Sequence, residues 1–287
     1  MAFEESLREL LECWKSSPEP SLKITTYFPV YARLFEHLRG TDCVFIETGV
    51  LDGGSLFMWR AFLGPRARIV GVDLNPAAAR WRDAGFEIEI GDQGDPLFWR
   101  ELLARVGAFD VLLDDGGHQS FQQIVTVEEA LRVAKKSCLI VVEDTATSFM
   151  TDFRRHGAHS FLSYCKAATD CLVARQFGTF ENRFPRSRNQ ASLDLFQHVF
   201  GIQFFNGIVA FQVDPARCGL PEVVRNHGAG KADDFRYEGK SEAQVEWPDP
   251  FDKRLVRVEG GRARTRLVPL FLQALAEPRK AFRRIFG

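Results

Sequence analysis

The chain has few of the features that mark secreted, membrane-spanning or nucleic-acid-binding proteins. Its six cysteines never take the CxxC spacing typical of zinc and redox motifs, so we interpret them as reduced thiols of a cytoplasmic protein. No apolar run reaches the roughly 18 residues that a membrane span needs, which excludes a transmembrane segment. The acidic N-terminus has no signal-peptide core. A formal net charge of -1 gives no reason to expect a nucleic-acid partner.

What the sequence does contain is an alternation of short apolar runs with helical segments. Apolar runs of this length are typical of parallel strands that are buried on both faces. Five β-α units in series predict a doubly wound parallel α/β sheet. The predicted strands cover 44–48, 68–72, 86–90, 109–113 and 139–142, and the predicted helices 55–63, 96–106 and 119–134.

Helical patterns also precede this region. Leu7, Leu10, Leu11 and Trp14 have the i, i+3, i+4, i+7 spacing of an amphipathic helix. A proline-containing break follows, and then a second helix that we expect to end near Leu38. The first forty residues are therefore predicted to be a helical segment.

The region after the predicted sheet begins with a helix over 158–171. Asn206-Gly207 then separates two apolar runs, which is the strongest short-range signal for a β-hairpin. The segment 215–250 is polar and is interpreted as loop. Residues 262–287 mix arginines with leucines and phenylalanines, which predicts a basic amphipathic helix.

Acidic residues follow two of the predicted strands. Asp114, Asp115 and His118 come after the fourth strand, and Glu143 and Asp144 after the fifth. In an open α/β sheet, ligands bind beyond the carboxyl ends of the strands, so these side chains should converge in one crevice. Several carboxylates and an imidazole suit a hard divalent cation with a proton acceptor beside it. This combination predicts an enzyme that activates an oxygen nucleophile.

A glycine-rich turn follows the first strand and predicts a cofactor pocket. Gly49 and Gly53 let the backbone approach a ligand closely, and Ser55 is placed to cap the next helix. The spacing is not the G-x-G-x-x-G of dinucleotide sites. Glu47, at the end of the strand, would crowd a pyrophosphate with negative charge. It suits a cofactor that carries a sulfonium and an amino group.

Two further strand ends supply matching polar groups. Asp73 ends the second strand, where an acidic residue can accept hydrogen bonds from ribose hydroxyls. Asp92 and Gln93 end the third strand, where a carboxylate and an amide suit an adenine edge. Asp114 directly precedes Asp115, so on an extended strand it points elsewhere and is predicted either to support the metal ligands from behind or to face the cofactor.

These motifs together resemble those of the metal-dependent sugar O-methyltransferases that tailor macrolide antibiotics. Rhamnosyl O-methyltransferases and cephalosporin-hydroxylase-like proteins are similar. The resemblance covers roughly residues 25–213 and implies a class I methyltransferase fold, a mostly parallel Rossmann-like sheet with a C-terminal antiparallel hairpin. It is carried by Glu47-x-Gly49-Val50-x-x-Gly53-Gly54-Ser55, Gly91-Asp92-Gln93, Asp114-Asp115-Gly116-Gly117-His118 with Gln123, and Glu143-Asp144-x-x-Thr147-Ser148.

The resemblance implies S-adenosylmethionine as cofactor and Mg²⁺ or Mn²⁺ as metal. By motif position, Asp115, Glu143 and Asp144 would bind the metal, and His118 would be the general base. A metal ion bridging two vicinal hydroxyls would lower the alcohol pKa and orient the oxygen for methyl transfer. His118, with an ordinary pKa near 6.5, could then remove the proton.

The resemblance also places an N-terminal tyrosine segment near the cofactor, which makes Tyr27 and Tyr31 predicted cofactor contacts. We therefore divide the chain into three parts. Residues 1–40 form a helical segment covering the cofactor and acceptor site, residues 41–213 form the methyltransferase domain, and residues 214–287 form a variable extension.

The sequence thus predicts methyl transfer to a sugar hydroxyl. The expected acceptor is a small-molecule glycoside or saccharide, such as a rhamnose in a glycosylated natural product or polysaccharide, and we expect a homo-oligomer. One alternative is a catechol-like acceptor, which the many aromatic residues after position 149 would suit. A non-catalytic cofactor-binding protein is a second alternative, and a nicotinamide oxidoreductase is a third that the glycine-rich turn alone leaves open.

Overall fold

A seven-stranded sheet forms the centre of the computed structural model, which describes residues 2–154, 159–174 and 194–219. These residues all belong to one unit, Met1–Pro250. The sheet order is β3-β2-β1-β4-β5-β7-β6. The strands are β1 (Val44–Thr48), β2 (Arg68–Asp73), β3 (Glu87–Ile90), β4 (Val111–Asp114), β5 (Cys138–Val142), β6 (Val199–Phe204) and β7 (Val209–Val213).

Helices connect the strands and precede the sheet. Short 3₁₀ segments over Pro76–Ala84 and Thr145–Phe149 follow β2 and β5. The α-helices of the described residues are α1 (Ala2–Lys15), α2 (Tyr27–Phe35), α3 (Gly54–Leu63), α4 (Pro96–Val106), α5 (Ser120–Val133) and α6 (Phe161–Ala174).

The predicted parallel sheet closed by an antiparallel hairpin is confirmed. Strands β1 to β5 pair in parallel, and β7 runs antiparallel to both β5 and β6. At the hairpin, the backbone N–H of Phe205 donates to the carbonyl of Ile208 across Asn206-Gly207. The change of order between β3-β2-β1 and β4-β5 puts a switch point between β1 and β4, where doubly wound sheets bind ligands.

The first predicted strand matches β1, and the bounds of the other four differ from the prediction by one or two residues. The fourth strand begins at Val111 rather than at Phe109, and the Asp110 side chain just before it accepts from the backbone N–H of Val44 and from Lys136. All four residues of β4 are buried, as expected for the centre of a parallel sheet.

The two N-terminal helices share the core of the sheet domain. Leu10 and Tyr31 are fully buried in the same cluster as Phe45 of β1. The Tyr31 ring lies 5.2 Å from the ring of Trp59, which lies 4.9 Å from that of Phe45. Aromatic contacts of this kind bury large apolar areas, so α1 and α2 are held firmly against α3 and β1.

Residues 16–26, which we call the connector, join α1 to α2 and cross the start of α3. The Ser17 hydroxyl donates to the carbonyl of Gly54 over 2.9 Å. A Cβ added to Gly54 would lie 2.5 Å from the carbonyl oxygen of Pro20, so glycine is required for this close approach. The connector therefore runs along the edge of the sheet where the predicted site residues lie.

Two predicted elements fall outside the described residues. These are the basic C-terminal helix over 262–287 and most of the polar segment 215–250. Within the described part, the helices are all too short or too polar to cross a lipid bilayer.

A pair of glycine substitutions tests the packing of the β1–α3 turn. Gly49 has φ +91°, and a Cβ there would overlap the backbone carbonyl of Asp115. Gly85 has φ +80° but open space around it. We expect Gly85→Ala to lower the free energy of unfolding by about 1 kcal/mol, from backbone strain alone. Gly49→Ala should cost about 3 kcal/mol or more, because a clash with backbone is added. Urea denaturation measures both, and equal losses would contradict the close approach.

Candidate active site

The predicted convergence of acidic side chains beyond β4 and β5 is observed for three residues. Ligand atoms of Asp115, His118 and Asp144 all lie within 4.8 Å of one another. The Nε2 atom of His118 is 3.4 Å from the Oδ2 atom of Asp144. Two carboxylates and an imidazole at this spacing can hold a divalent cation, or can pair a base with the group that orients it.

Two of these residues have strained backbones. His118 has φ +54° and Asp144 has φ +51°, in the left-handed region that side chains other than glycine rarely adopt. The hydroxyl of Thr147 donates to the carbonyls of both residues, at 3.1 and 2.7 Å, and so bridges the two turns. Strain of this kind concentrates at functional sites, where the surrounding structure fixes a side chain in place.

His118 has one ring nitrogen free of internal partners. Its Nδ1 atom is buried and has no hydrogen-bond partner among the described residues, while Nε2 faces Asp144. A carboxylate thus orients the ring through Nε2, the nitrogen that faces the acidic grouping.

The two predicted tyrosines contact the acidic pair. The Tyr27 hydroxyl donates to Oδ1 of Asp144 over 2.6 Å and accepts from the Asp144 backbone N–H. The Tyr31 hydroxyl donates to Oε1 of Glu143. Burial and these carboxylates raise the pKa of both phenols, so both stay protonated donors. The hydroxyls are bonded to Asp144 and Glu143, and the predicted contact of the two tyrosines with the cofactor stays a prediction.

Lys23 of the connector is the main residue that the sequence analysis missed. Its Nζ atom lies 2.5 Å from Oδ2 of Asp115, 3.2 Å from Oε2 of Glu143 and 3.7 Å from Oε1 of Glu47. Its side chain is only 2% exposed. Burial lowers the pKa of this ammonium, but the three carboxylates outweigh burial and raise the pKa above its usual value. Lys23 is therefore a buried charged group.

Two side chains of α3 donate hydrogen bonds to the carboxylate of Glu47. The Ser55 hydroxyl donates to it over 2.8 Å and the Trp59 indole N–H over 3.0 Å. The prediction that Ser55 caps α3 is wrong, because Gly53 is the N-cap and the Ser55 hydroxyl is bonded to Glu47. Trp59 carried no motif signal, and its part in the site was not predicted.

Gln93 and Asp114 bind each other. The Gln93 amide nitrogen donates to Oδ1 of Asp114 over 3.0 Å, and its oxygen accepts from the backbone N–H of Gly117 over 2.7 Å. Burial raises the pKa of Asp114, and the hydrogen bond from Gln93 acts against that shift. Both side chains are buried, and the predicted contacts of Gln93 with the adenine and of Asp114 with the cofactor stay predictions. They join the loops that follow β3 and β4.

Asp73 and Asp92 remain accessible at the ends of β2 and β3. Oδ2 of Asp73 accepts from the backbone N–H groups of Val50 and Leu51, which fixes the glycine-rich turn against β2. Oδ1 of Asp92 accepts from the N–H of Gly94. A carboxylate has about four acceptor positions, so both can still accept from a ligand.

Comparison with solved structures identifies the class of fold. A methyltransferase from the mycinamycin biosynthetic pathway, solved in complex with Mg and SAH, matches with a TM-score of 0.62 at 21% identity, over 79% of this chain and 58% of that one. Its complex that also contains mycinamycin VI matches with a TM-score of 0.61 at 22% identity. The chain therefore has the class I methyltransferase fold predicted from its sequence.

Curated relatives make the resemblance more particular. The 8-demethyl-8-alpha-L-rhamnosyl tetracenomycin-C 2'-O-methyltransferase of Streptomyces olivaceus is 30% identical over 138 residues, 46% of this chain and 36% of the relative. The mycinamicin VI 2''-O-methyltransferase of Micromonospora griseorubida is 26% identical over 215 residues, 66% of this chain and 53% of the relative. The predicted resemblance to sugar O-methyltransferases is confirmed, although the chain spans only about a third to half of these relatives. No family model matches the chain.

The buried Glu47 predicts a specific pH dependence of stability. Burial raises its pKa from 4.5 to about 6, while Lys23 lowers it. The folded state thus binds this proton more tightly than the unfolded state, and the cost of ionising Glu47 is absent below pH 4.5 and complete above about 6. Relative to Glu47→Gln, the wild type should lose about 2 kcal/mol of stability between pH 4 and pH 7.

Urea denaturation at several pH values measures this difference. The exposed Glu4 on α1 offers the matched control, since its carboxylate stays in water. A difference between wild type and Glu47→Gln that does not change with pH would contradict the assignment.

Proposed function

We propose that this chain is an S-adenosylmethionine-dependent and divalent-metal-dependent O-methyltransferase that acts on a sugar hydroxyl. The observation that carries the proposal is the grouping of Asp115, His118 and Asp144 at the ligand-binding edge of a methyltransferase fold. Relatives that methylate rhamnosyl and macrolide sugars, as their names state, support the acceptor class. The related structure that holds Mg, SAH and mycinamycin VI supports the same assignment.

The donor set fits a hard divalent cation. Asp115 and Asp144 offer carboxylate oxygens within 4.8 Å of each other, and Glu143 directly precedes Asp144. We assign Mg²⁺ or Mn²⁺ to Asp115, Glu143 and Asp144, since these ions prefer oxygen ligands. When bound, such an ion lowers the pKa of a coordinated hydroxyl and orients its oxygen.

His118 is the proposed general base. Its ring lies beside Asp144, and the strained backbone fixes its direction. Removal of the hydroxyl proton by a positioned imidazole contributes about 10²–10⁴-fold to the rate. The proton then resides on His118, where the neighbouring Asp144 carboxylate stabilises the imidazolium.

The cofactor is assigned to the turn between β1 and α3 and to the neighbouring strand ends. We propose that Gly49, Gly53 and Ser55 shape this turn, with Glu47 beneath the cofactor amino group. Asp73 is proposed to accept from the ribose hydroxyls. Asp92 is proposed to contact the adenine. The hydrogen-bonded pair of Gln93 and Asp114 is proposed to shape the cofactor pocket. Tyr27 and Tyr31 are proposed to orient Asp144 and Glu143 at its border.

The aromatic residues expected for a flat phenolic acceptor are partly core residues. Phe161 and Tyr164 are 0% and 2% exposed, whereas Phe149, in the 3₁₀ segment after β5, is 79% exposed. Phe177, Phe180 and Phe184 lie outside the described residues. We propose a deoxyhexose such as rhamnose, in a glycosylated natural product or polysaccharide, as the acceptor, because the relatives act on rhamnosyl and macrolide sugars, as their names state.

We propose a small-molecule glycoside rather than nucleic acid as partner, because the net charge of -1 provides no basic surface excess. A cytoplasmic homo-oligomer is proposed as well, and light scattering of the purified chain would measure the subunit number.

Transfer of a labelled methyl group tests the proposed function. S-adenosylmethionine with labelled methyl is incubated with rhamnosyl and other deoxyhexosyl glycosides and with a catechol, each with Mg²⁺ and with EDTA. Transfer to a glycoside that EDTA abolishes supports the proposal. Transfer to the catechol alone would replace the acceptor class, and cofactor binding without transfer to any acceptor would favour a non-catalytic role.

Substitution of the proposed base should separate chemistry from binding. We expect His118→Ala to lower the turnover number by about 10²-fold or more, because proton removal is lost. Cofactor affinity, measured by calorimetry, should stay within about twofold, since none of the observed cofactor-turn contacts involves this ring. His37→Ala, at an exposed histidine, is the control. Loss of cofactor binding in His118→Ala would show that the base is misplaced.

Replacement of one proposed metal ligand should weaken metal binding. Asp144→Asn keeps the size of the side chain and lowers its charge, so we expect the affinity for Mn²⁺ to fall about tenfold or more. Asp152→Asn, at an exposed aspartate, is the control. Electron paramagnetic resonance of free Mn²⁺ gives both affinities, and equal values would exclude Asp144 as a ligand.

A further inference from the structure

Lys23 contacts two of the carboxylates assigned to the metal. Its ammonium is 2.5 Å from Oδ2 of Asp115 and 3.2 and 3.4 Å from the two oxygens of Glu143. The ammonium also lies 3.7 Å from Glu47. A fully buried lysine that faces several carboxylates satisfies them as a small cation would.

The carboxylate of Glu143 faces Lys23 and lies outside the grouping of Asp115, His118 and Asp144. Its Oε1 atom accepts from the Tyr31 hydroxyl, and both oxygens accept from Lys23. Among the described residues, the grouping with mutually close ligand atoms contains Asp115, His118 and Asp144, without Glu143. A divalent cation that binds Glu143 must therefore bind an oxygen that already accepts a hydrogen bond from Lys23.

We propose that Lys23 is a built-in competitor of the divalent cation, and that metal binding to Asp115 and Glu143 displaces its ammonium from these carboxylates. The inference rests on the proposed function for the identity of the metal site. Lys23 thereby sets the affinity of the site for metal, and makes the position of the connector depend on whether metal is bound.

The connector is built so that Lys23 can leave. The residues on either side of it, Leu22 and Ile24, are 67% and 40% exposed, so they bury little apolar area. Hydrogen bonds hold the connector on either side of position 23: Trp14 donates to Ser21 over 2.9 Å, Ser17 donates to Gly54, and the Tyr27 backbone N–H donates to the carbonyl of Ile24 over 2.9 Å. Around position 23 the buried contacts are thus mainly those of the lysine itself, and loss of its ion pairs frees this part of the connector.

Charge favours exchange over simple addition. An ammonium and a divalent cation that share carboxylates within a few ångströms repel each other strongly in a buried site. Lys23 has three rotatable donors on a flexible stem, so it can withdraw without moving the strands that carry Asp115 and Glu143.

The test compares metal binding of the full chain and of Lys23→Met, which keeps the length of the side chain and removes its charge. Mn²⁺ affinity is measured by electron paramagnetic resonance without cofactor or acceptor. We expect Lys23→Met to bind Mn²⁺ about tenfold more tightly or better, because the competing cation is gone. Lys15→Met, at an exposed lysine paired with Glu12, should bind like the wild type.

Thermal unfolding supplies a second readout. With EDTA, Lys23→Met should melt below the wild type, because Asp115 and Glu143 lose their counter-ion. Saturating Mg²⁺ should raise its melting temperature more than that of the wild type. Equal Mn²⁺ affinity of the variant and the wild type would overturn the proposal. Weaker Mn²⁺ binding by the variant would overturn it too and would show that Lys23 supports metal binding instead.

Hydrogen exchange of the wild type keeps the proposal testable if the variant fails to fold. The Tyr27 amide, which donates to the carbonyl of Ile24 in the connector, should exchange faster with Mg²⁺ than with EDTA, and unchanged or slower exchange would contradict displacement. If the wild type binds metal and Lys23→Met is no tighter, only this inference fails. If neither protein binds metal, the metal dependence in the proposed function fails with it.

Discussion

The concentration of buried carboxylates at one edge of the sheet is the constraint on which the rest of this structure depends. A buried carboxylate is costly unless it is paired or hydrogen-bonded. Glu47 is bonded by Ser55 and Trp59, and Asp114 by Gln93. Glu143 and Asp144 are bonded by Tyr31 and Tyr27, which α2 brings to the sheet. The N-terminal helices thus complete the site electrostatically as well as covering it, and the connector supplies the one described lysine that is buried among these acids.

Most of the fold could be predicted from the sequence because its signals are local. Strands buried on both faces leave apolar runs, the Asn206-Gly207 turn marks a hairpin, and acids at strand ends follow from the topology of parallel sheets. The meeting of Asp115 with Asp144 was predictable for that reason. The position of Lys23 was not predictable, since Lys23 contacts Asp115 and Glu143, which lie 92 and 120 positions further along the chain, and no local pattern marks it. The one available signal was an excess of buried negative charge that required a cation from somewhere in the chain.

The strained turns at His118 and Asp144 show another limit of sequence analysis. Neither residue is a glycine, so nothing in the sequence indicates a left-handed backbone at these positions. Such a conformation costs about 1–3 kcal/mol at each residue. Thr147, which bonds the carbonyls of both, appears in the motif of the family but gains a physical meaning only here. The strain is maintained where it aims the imidazole of His118 at the carboxylate of Asp144.

The site therefore has two layers with different dependence on ligands. In the inner layer, Glu47 and the Gln93–Asp114 pair accept hydrogen bonds from the sheet domain itself. These bonds fix the turns that follow β1, β3 and β4. In the outer layer, Asp115, Glu143 and Asp144 are satisfied by groups from outside the sheet, through the connector and α2. Groups on separate elements can withdraw while the strands stay in place. Under the proposed exchange of cations, the outer layer would alter the connector while the turn after β1 stays in place, which would link metal binding to the position of the N-terminal segment.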